Sequence, residues 1–367
     1  MKIQILTGHF VPQLHPRAFR ANELALEFVR QGHTVCVTNC WTIYGFDYAD
    51  YAKKAGIEIR NLNIFVTNKD AKKQGGKGRI ISFLKEYLLA GSLFYRGPLI
   101  AEKLVIDPDT DLVIALSTPF TCLYALSLYY KNHRKKCITI ADSGDPFYGS
   151  KQTPKAPWFK WIEKRVYKYF DYLSIPTENA VPIYQSLINP EKILIIPQGF
   201  NMKNVRLCNE PLSDPVKFAY AGVFYKDIRN PEFLFSFLAS IAQDFQFYIY
   251  MRENDSYVDS LIIKHPNIKD KIRIVYSLPR EQLLYELSKK HFLINIDNLS
   301  STQIPSKVID YAISKRPIYS CNEKSFSANV FNQFMAGDYS RQLVLDISKY
   351  EIGNVAKQFL DAYYQKK

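Results

Sequence analysis

The six cysteines of this 367-residue chain, at positions 36, 40, 122, 137, 208 and 321, include no Cys-x-x-Cys pair, and no histidine run accompanies them. That scarcity argues against a zinc centre and makes a reducing cytoplasm the simplest compartment. A secretory leader is not expected either, because the apolar start at 3–6 is short and runs on into His9, Pro12 and Arg17. Long uncharged stretches are almost missing. The one that approaches the length of a membrane span, 112–130, is interrupted by Ser117-Thr118-Pro119, so a buried strand followed by a helix is expected there. Gly8 closes the first apolar run, but the later glycines of a dinucleotide fingerprint do not follow it. There is no low-complexity tract that would suggest disorder. Acids are in short supply: 48 lysines and arginines face 35 aspartates and glutamates, a net charge of +13. Residues 53–103 hold eleven bases against four acids and so supply +7 of that surplus. A local patch of this kind suits a polyanion or an anionic membrane surface. No nucleic-acid-binding module is recognisable around it, so nucleic acid is not an expected partner.

What is present is an alternation of apolar runs and helix-length segments. Ala18, Ala21, Leu24, Ala25, Phe28 and Val29 form a 3.6-residue stripe over 17–31 that Gly32 ends, and strands before and after it complete a right-handed strand-helix-strand unit. Buried strands are expected at 112–116, 137–141, 172–175 and 193–196. Residues 199–215, with two prolines and little periodicity, read as a linker. The alternation then resumes with strands near 217–220, 247–251, 272–275, 292–296 and 317–320, and a last helix falls at 352–363. The expected fold class is therefore α/β, with two Rossmann-like doubly wound domains facing a central cleft, where open α/β sheets bind ligands. The domains are placed at 1–200 and 201–349.

The most informative motif is Gln303-Ile304-Pro305-Ser306-Lys307-Val308-Ile309-Asp310, a polar turn that leads into a proline-started helix and then a short strand. Pro305 presets the first helical turn, leaving Ser306 and Lys307 to offer amides at the positive end of the helix. One turn on, Asp310 can accept hydrogen bonds from a sugar diol. The motif resembles the nucleotide-binding segment of family 4 glycosyltransferases of the GT-B fold, of the bacterial surface-polysaccharide type. Three further stretches carry the resemblance, in the family's order. They are the opening Met1-Lys2-Ile3-Gln4-Ile5-Leu6-Thr7-Gly8-His9, the crossover Ile196-Pro197-Gln198-Gly199-Phe200-Asn201, and the strand end Ala219-Tyr220-Ala221-Gly222 followed by Lys226 and Arg229. Thr302 stands where the family often has a first glutamate.

The resemblance implies transfer of a sugar from a nucleoside-diphosphate sugar, UDP- or GDP-linked, with retention of configuration and without a metal or other cofactor. The donor belongs to 201–349 and the acceptor to 1–200, with the last segment, 350–367, packing back on the first domain. Arg229 and Lys226 would neutralise the leaving diphosphate, Leu278 and its neighbours would meet the base, Ser306 and Lys307 the phosphates, and Asp310 the ribose. On the acceptor side Asp145, as in an Arg-Asp-Pro-Trp stretch of some members, could orient or deprotonate a hydroxyl, or simply make an Asx turn before Pro146. His9 could touch the acceptor or fill a loop, and Gly8 would let a substrate approach the backbone. Asp107, Asp109 and Asp111 form two overlapping Asp-x-Asp patterns, but they precede a strand instead of ending one, so they fall at the wrong edge of the sheet for metal chemistry.

The basic stretch at 53–103, with Lys72, Lys73, Lys77 and Arg79 leading into an amphipathic helix at 80–89, reads as a membrane-surface element. Trp158, Ile162, Val166, Tyr169 and Leu173 are read as one helical face packed on a sheet, with Lys160, Lys164 and Lys168 as a solvated ridge. A lipid-linked or polysaccharide acceptor and a cytoplasmic, peripheral place at the inner face of a membrane follow as expectations. The other readings are a nucleotide-sugar epimerase or hydrolase of the same fold, and a basic scaffold without catalysis.

Overall fold

Parallel strands covered on both faces need apolar side chains at successive positions, a pattern that the central strands of two parallel sheets show among the described residues. The computed structural model describes residues 1–64, 84–88, 90–149, 154–203, 205–226, 229–297 and 306–366. These form two compact units, one of Met1–Asn201 with Lys349–Lys367, the other of Met202–Ser348.

In the first unit the strands are β1 (Lys2–Thr7), β2 (Thr34–Asn39), β3 (Glu58–Asn61), β4 (Leu112–Leu116), β5 (Ile138–Asp142), β6 (Tyr172–Ile175) and β7 (Ile193–Ile195). They lie in the order β3-β2-β1-β4-β5-β6-β7, and every pairing is parallel. Side chains alternate across the sheet as the pleat demands. Leu112, Ile114 and Leu116 enter one apolar cluster, while Val113 and Ala115 enter the other. The main helices are α1 (Pro16–Arg30), α2 (Tyr48–Ala55), α3 (Leu93–Lys103), α4 (Thr121–Asn132) and α5 (Trp158–Tyr167). Phe28 and Leu24 of α1 share a cluster with Val355, Ala356 and Phe359 from the end of the chain.

The second unit has β8 (Val216–Ala221), β9 (Phe245–Met251), β10 (Ile272–Tyr276), β11 (Phe292–Ile296) and β12 (Ile318–Cys321), in the parallel order β10-β9-β8-β11-β12. Its helices are α6 (Glu232–Ser240), α7 (Ser256–Lys264), α8 (Arg280–Ser288), α9 (Ser306–Ile313) and α10 (Ala328–Met335), and α11 (Ile352–Lys366) returns the chain to the first unit. Along β8, Phe218 and Tyr220 face one cluster and Ala219 and Ala221 the other. The two small residues make room for Val308 and Tyr311 of α9, which share their cluster.

The doubly wound α/β class expected from the sequence is thus present, in sheets of seven and five strands. Three local readings differ. Glu58-Ile59-Arg60-Asn61 is an edge strand that the apolar pattern does not reveal, since an edge tolerates charge. The helix begun at Trp158 ends at Tyr167, and Leu173 belongs to β6, so those residues do not share one helical face. Trp158 is also not packed but about half exposed. Lys72, Lys73, Lys77 and Arg79, together with Thr302 and Pro305, lie outside the described residues.

Candidate functional site

In a doubly wound sheet the chain leaves the first strand to both sides, and the crevice where it does so lies at the carboxyl ends of the two strands flanking the switch. In the second unit those strands are β8 and β11. β8 stops at Gly222, whose φ of +133° is a conformation that side-chain-bearing residues rarely adopt. The backbone then turns so that Arg229 N–H donates to the Tyr225 carbonyl at 2.9 Å, forming an isolated bridge. The Arg229 guanidinium lies 5.9 Å from the Tyr225 ring, and its charge opposes the rise that burial gives the Tyr220 hydroxyl, which donates to the Val223 carbonyl at 3.0 Å. From the other side Lys307 in the first turn of α9 places Nζ 4.4 Å from the Tyr220 ring and donates to the Ile296 carbonyl at 3.3 Å. Two cations therefore converge on one buried tyrosine. Burial, then the Arg229 charge, brings the Lys307 ammonium down to about 7, against the pull of Asp297. A lysine depressed this far gains most from an incoming anion.

Asp297 directly follows β11 and is itself held: Ser320 Oγ donates to its Oδ2 at 2.8 Å, and Asn295 Nδ2 contacts its Oδ1 and donates to Ser320 Oγ at 2.8 Å. The α9 helix is keyed to β8 through Tyr311, whose hydroxyl accepts from Ala221 N–H at 2.6 Å. One residue earlier on α9, Asp310 receives Nε and Nη2 of Arg280 at 2.9 and 2.6 Å, both on Oδ1. Among the described residues no bond reaches Oδ2. Burial pushes the Asp310 carboxyl up, with Arg280 opposing. Arg280 opens α8 directly after Leu278 and Pro279, and Leu278 packs against the Val308 and Tyr311 cluster. Leu278, Lys307 and Asp310 are thus gathered on neighbouring elements, with Arg229 beside Lys307. Lys226 is not part of this pair: its Nζ sits 5.0 Å from the Tyr257 ring, and Lys307 is the cation that accompanies Arg229 at Tyr220. Ser306 begins α9, with its backbone at the helix start.

No protein-family model matches the chain, and no curated protein does. Solved structures do. The lipopolysaccharide outer core galactosyltransferase WaaB superposes with a TM-score of 0.60 at 15% identity, over 100% of both chains. A glycosyltransferase from Rickettsia africae superposes at 0.63 and 12% identity, over 99% of this chain and 98% of that one. HepE from Anabaena, solved with UDP and glucose, superposes at 0.61 and 11% identity over 100% of both. The chain has the GT-B fold.

In the first GT-B unit the carboxyl edge of the sheet is dominated by a group that local sequence patterns do not reveal. Asp142, the last residue of β5 and fully buried, takes Arg20 Nε on Oδ2 at 2.7 Å and Arg20 Nη2 on Oδ1 at 2.7 Å. Arg17 Nη2 also contacts Oδ2, and Ser174 Oγ donates to Oδ1 at 2.9 Å. Burial works to raise this carboxyl, but Arg17 and Arg20 overcome it and hold it at about 2. The arginines also tie β4 and β7 to α1: Arg17 Nε donates to the Ser117 carbonyl at 2.9 Å and Arg20 Nη1 to the Pro197 carbonyl at 2.6 Å. Both sit on α1 one turn apart, a spacing visible in the sequence, but their partner lies more than a hundred residues away.

Asp145 is exposed in the loop after β5, where Ser143 Oγ donates to its carbonyl at 3.1 Å. Glu163 of α5 props that loop: its carboxyl receives Tyr148 N–H at 2.9 Å, Phe147 N–H at 3.3 Å and the Tyr167 hydroxyl at 3.0 Å. Burial raises it to about 7 in spite of those donors. His9 stacks on His15 at 4.0 Å, meets the Trp41 ring edge-on at 5.0 Å and contacts Gln13 Oε1 at 2.5 Å, and burial lowers its pKa. A Cβ at Gly8 would lie 2.4 Å from Pro119 Cδ, so packing against that ring by itself calls for glycine there. The overlapping Asp-x-Asp residues serve ion pairs at the amino edge of the sheet. Lys2 Nζ meets Asp107 at 2.8 Å and Asp109 at 2.9 Å, Arg60 meets Asp107 at 2.7 Å, and Asp111 accepts the Lys2 N–H at 2.9 Å.

Proposed function

We propose that the protein transfers a sugar from a nucleoside-diphosphate sugar, bound by the second unit, to a hydroxyl of an acceptor bound by the first. The observation that carries this reading is the convergence of Arg229 and Lys307 on Tyr220 at the switch point of the second sheet, with Asp310 one turn along the same helix. When the bond from the anomeric carbon to the diphosphate breaks, negative charge grows on the leaving oxygens, and two fixed cations in a partly dry site stabilise it. The first turn of α9 adds its amides to the same charge. In this reading Arg280 holds Oδ1 of Asp310 and leaves Oδ2 for a ribose hydroxyl, and the base, of a UDP- or GDP-linked donor, lies against the loop at Leu278.

The reaction is read as retaining, as the resemblance implies, and as free of metal, a reading that Arg229, Lys307 and the start of α9 support as groups able to neutralise a diphosphate. Asp145 and His9 are the acceptor-side groups of this reading, one to take the hydroxyl proton and one to orient it. The acceptor is a lipid-linked or polysaccharide intermediate at the inner, anionic face of a membrane, which suits the chain's +13 charge. No helix among the described residues is long and apolar enough to cross a membrane, so contact with the bilayer would be peripheral.

The test is a panel of nucleotide sugars scored for release of free nucleotide with and without glycan acceptors, in EDTA. Release that needs the acceptor and survives EDTA supports the reading. Turnover of the donor alone would favour an epimerase or hydrolase. Absence of any thermal stabilisation by UDP or GDP would refute donor binding and leave a non-catalytic scaffold.

A further inference from the structure

One surface of the first unit plays no part in this chemistry. The buried side of α5 holds Phe159, Glu163, Val166 and Tyr167, while its open side carries Trp158, 48% exposed, and Trp161, 82% exposed. Trp158, Trp161 and Arg165 recur at i, i+3 and i+7 and so form a strip. Lys160, Lys164 and Lys168, all exposed, form the ridge beside it. The only acid of the helix, Glu163, is fully buried, so the open face is purely cationic. The strip borders a groove of about 230 Å³ between α3, α4 and α5, walled by Phe94, Tyr124, Leu128 and Ile162 with Lys131 and Arg165 among the lining residues. Lys131 lies in the last turn of α4, and exposed Arg134 and Lys136 follow that helix.

A helix that merely covers a sheet exposes mixed charge and hides its tryptophans. Here two tryptophans, an apolar groove and cations of α5 that make no ion pair among the described residues occupy one face. Each part has a match in one kind of partner: indoles favour the headgroup boundary, lysines favour lipid phosphates, and an apolar groove favours hydrocarbon. A nucleic acid or an acidic protein would account for the cations but not for the groove.

We propose that this face of α5, with the groove beside it, docks on an anionic phospholipid surface. The inference rests on the membrane reading above and relocates its contact from residues 72–79 to α5; it is independent of the donor assignment. Through Glu163 the docking helix is bonded directly to the backbone of Phe147 and Tyr148, so docking fixes the height of the Asp145 loop above the lipid from which an acceptor would arrive.

The experiment uses the whole protein with vesicles of phosphatidylcholine, alone or with 30% phosphatidylglycerol by design, followed by sedimentation and tryptophan fluorescence. The chain has three tryptophans, and Trp41 is the only one outside α5. Binding to anionic vesicles only, with a blue shift and quenching by brominated acyl chains, is expected. Trp158→Ala with Trp161→Ala, and separately Lys160→Glu with Lys164→Glu, should each weaken vesicle affinity by about tenfold or more, leaving UDP-induced thermal stabilisation unchanged. The proposal is overturned if binding persists in these variants without fluorescence change and is lost only on reversing Lys72, Lys73, Lys77 and Arg79. Equal binding to neutral vesicles overturns it too, as does a response to a DNA oligomer in place of vesicles. Vesicle binding absent altogether would end the membrane reading as a whole, while UDP stabilisation separately judges the donor site.

Discussion

If burial and the Arg229 charge hold Lys307 at about 7 in spite of Asp297, filling the site with a nucleoside diphosphate must draw a proton into the protein. With the diphosphate in place the ammonium should return toward its ordinary value of 10.5. At pH 8 about nine-tenths of the free protein has a neutral Lys307, so binding UDP should take up about 0.9 proton per site. Affinity should then fall about tenfold per pH unit above 7, which is 1.36 kcal/mol for each unit. The phosphate's own ionisation, near pH 6, is complete by then and adds nothing. Titration calorimetry of UDP at pH 8 in buffers of different ionisation enthalpy reads the proton number directly. Zero uptake by the wild type, or the same uptake by Lys307→Met, would refute the argument. The same lysine affects stability with the opposite sense. Its folded pKa lies below the 10.5 of the unfolded chain, so the folded protein resists protonation. The penalty is complete below pH 7 and fades as pH rises toward 10.5. Lys307→Met should therefore raise the melting temperature of the ligand-free protein at pH 7, by up to ~4 kcal/mol of stability, while abolishing the shift that UDP produces.

Arg229→Ala should slow turnover by about a hundredfold or more with the fold intact, measured by nucleotide release, since on the proposed reading it removes a charge aimed at the leaving group. Asp310→Ala should weaken nucleotide binding by ~1.5 to 3 kcal/mol. Arg280→Ala should raise KM with less effect on kcat, with partial rescue in Arg280→Lys; an unchanged KM would make the pair purely structural. Glu163 has a folded pKa, about 7, above its ordinary 4.5. Its contribution to stability is therefore complete below pH 4.5 and lost as pH rises through 7. Denaturant melts of Glu163→Gln should show a flatter decline between pH 5 and 8 than the wild type, by up to ~3 kcal/mol.

The strands were readable because a parallel sheet covered on both faces writes itself as apolar runs. Leu112–Leu116 and Phe292–Ile296 are fully buried along their whole length and stand where those runs place them. The edge strand Glu58–Asn61 escaped for the converse reason, since solvent reaches its side chains. The cationic pair at Tyr220 was half legible. Arg229 and Lys307 follow a strand end and a proline turn, features with local signatures, whereas the choice of Lys307 over Lys226 as partner depends on how α9 packs under β8 through Tyr311. Asp142 with Arg17 and Arg20 left no local trace at all. A charge buried at the end of an apolar strand looks like any strand terminus until its distant partners are brought to it.

The return of the chain at α11 has a genetic consequence. Phe200 N–H donates to the Tyr350 carbonyl at 2.7 Å, and Ile352 N–H donates to the Phe200 carbonyl at 2.9 Å, so the outgoing and incoming segments run side by side where the first unit is left and re-entered. Residues Met202–Ser348 are therefore an insert whose two ends meet at one point of the host. Such an arrangement can be gained or exchanged as a cassette without redrawing the host sheet. A second unit from another protein, joined at those two neighbouring points, would leave α11 in place against α1 and the first sheet undisturbed.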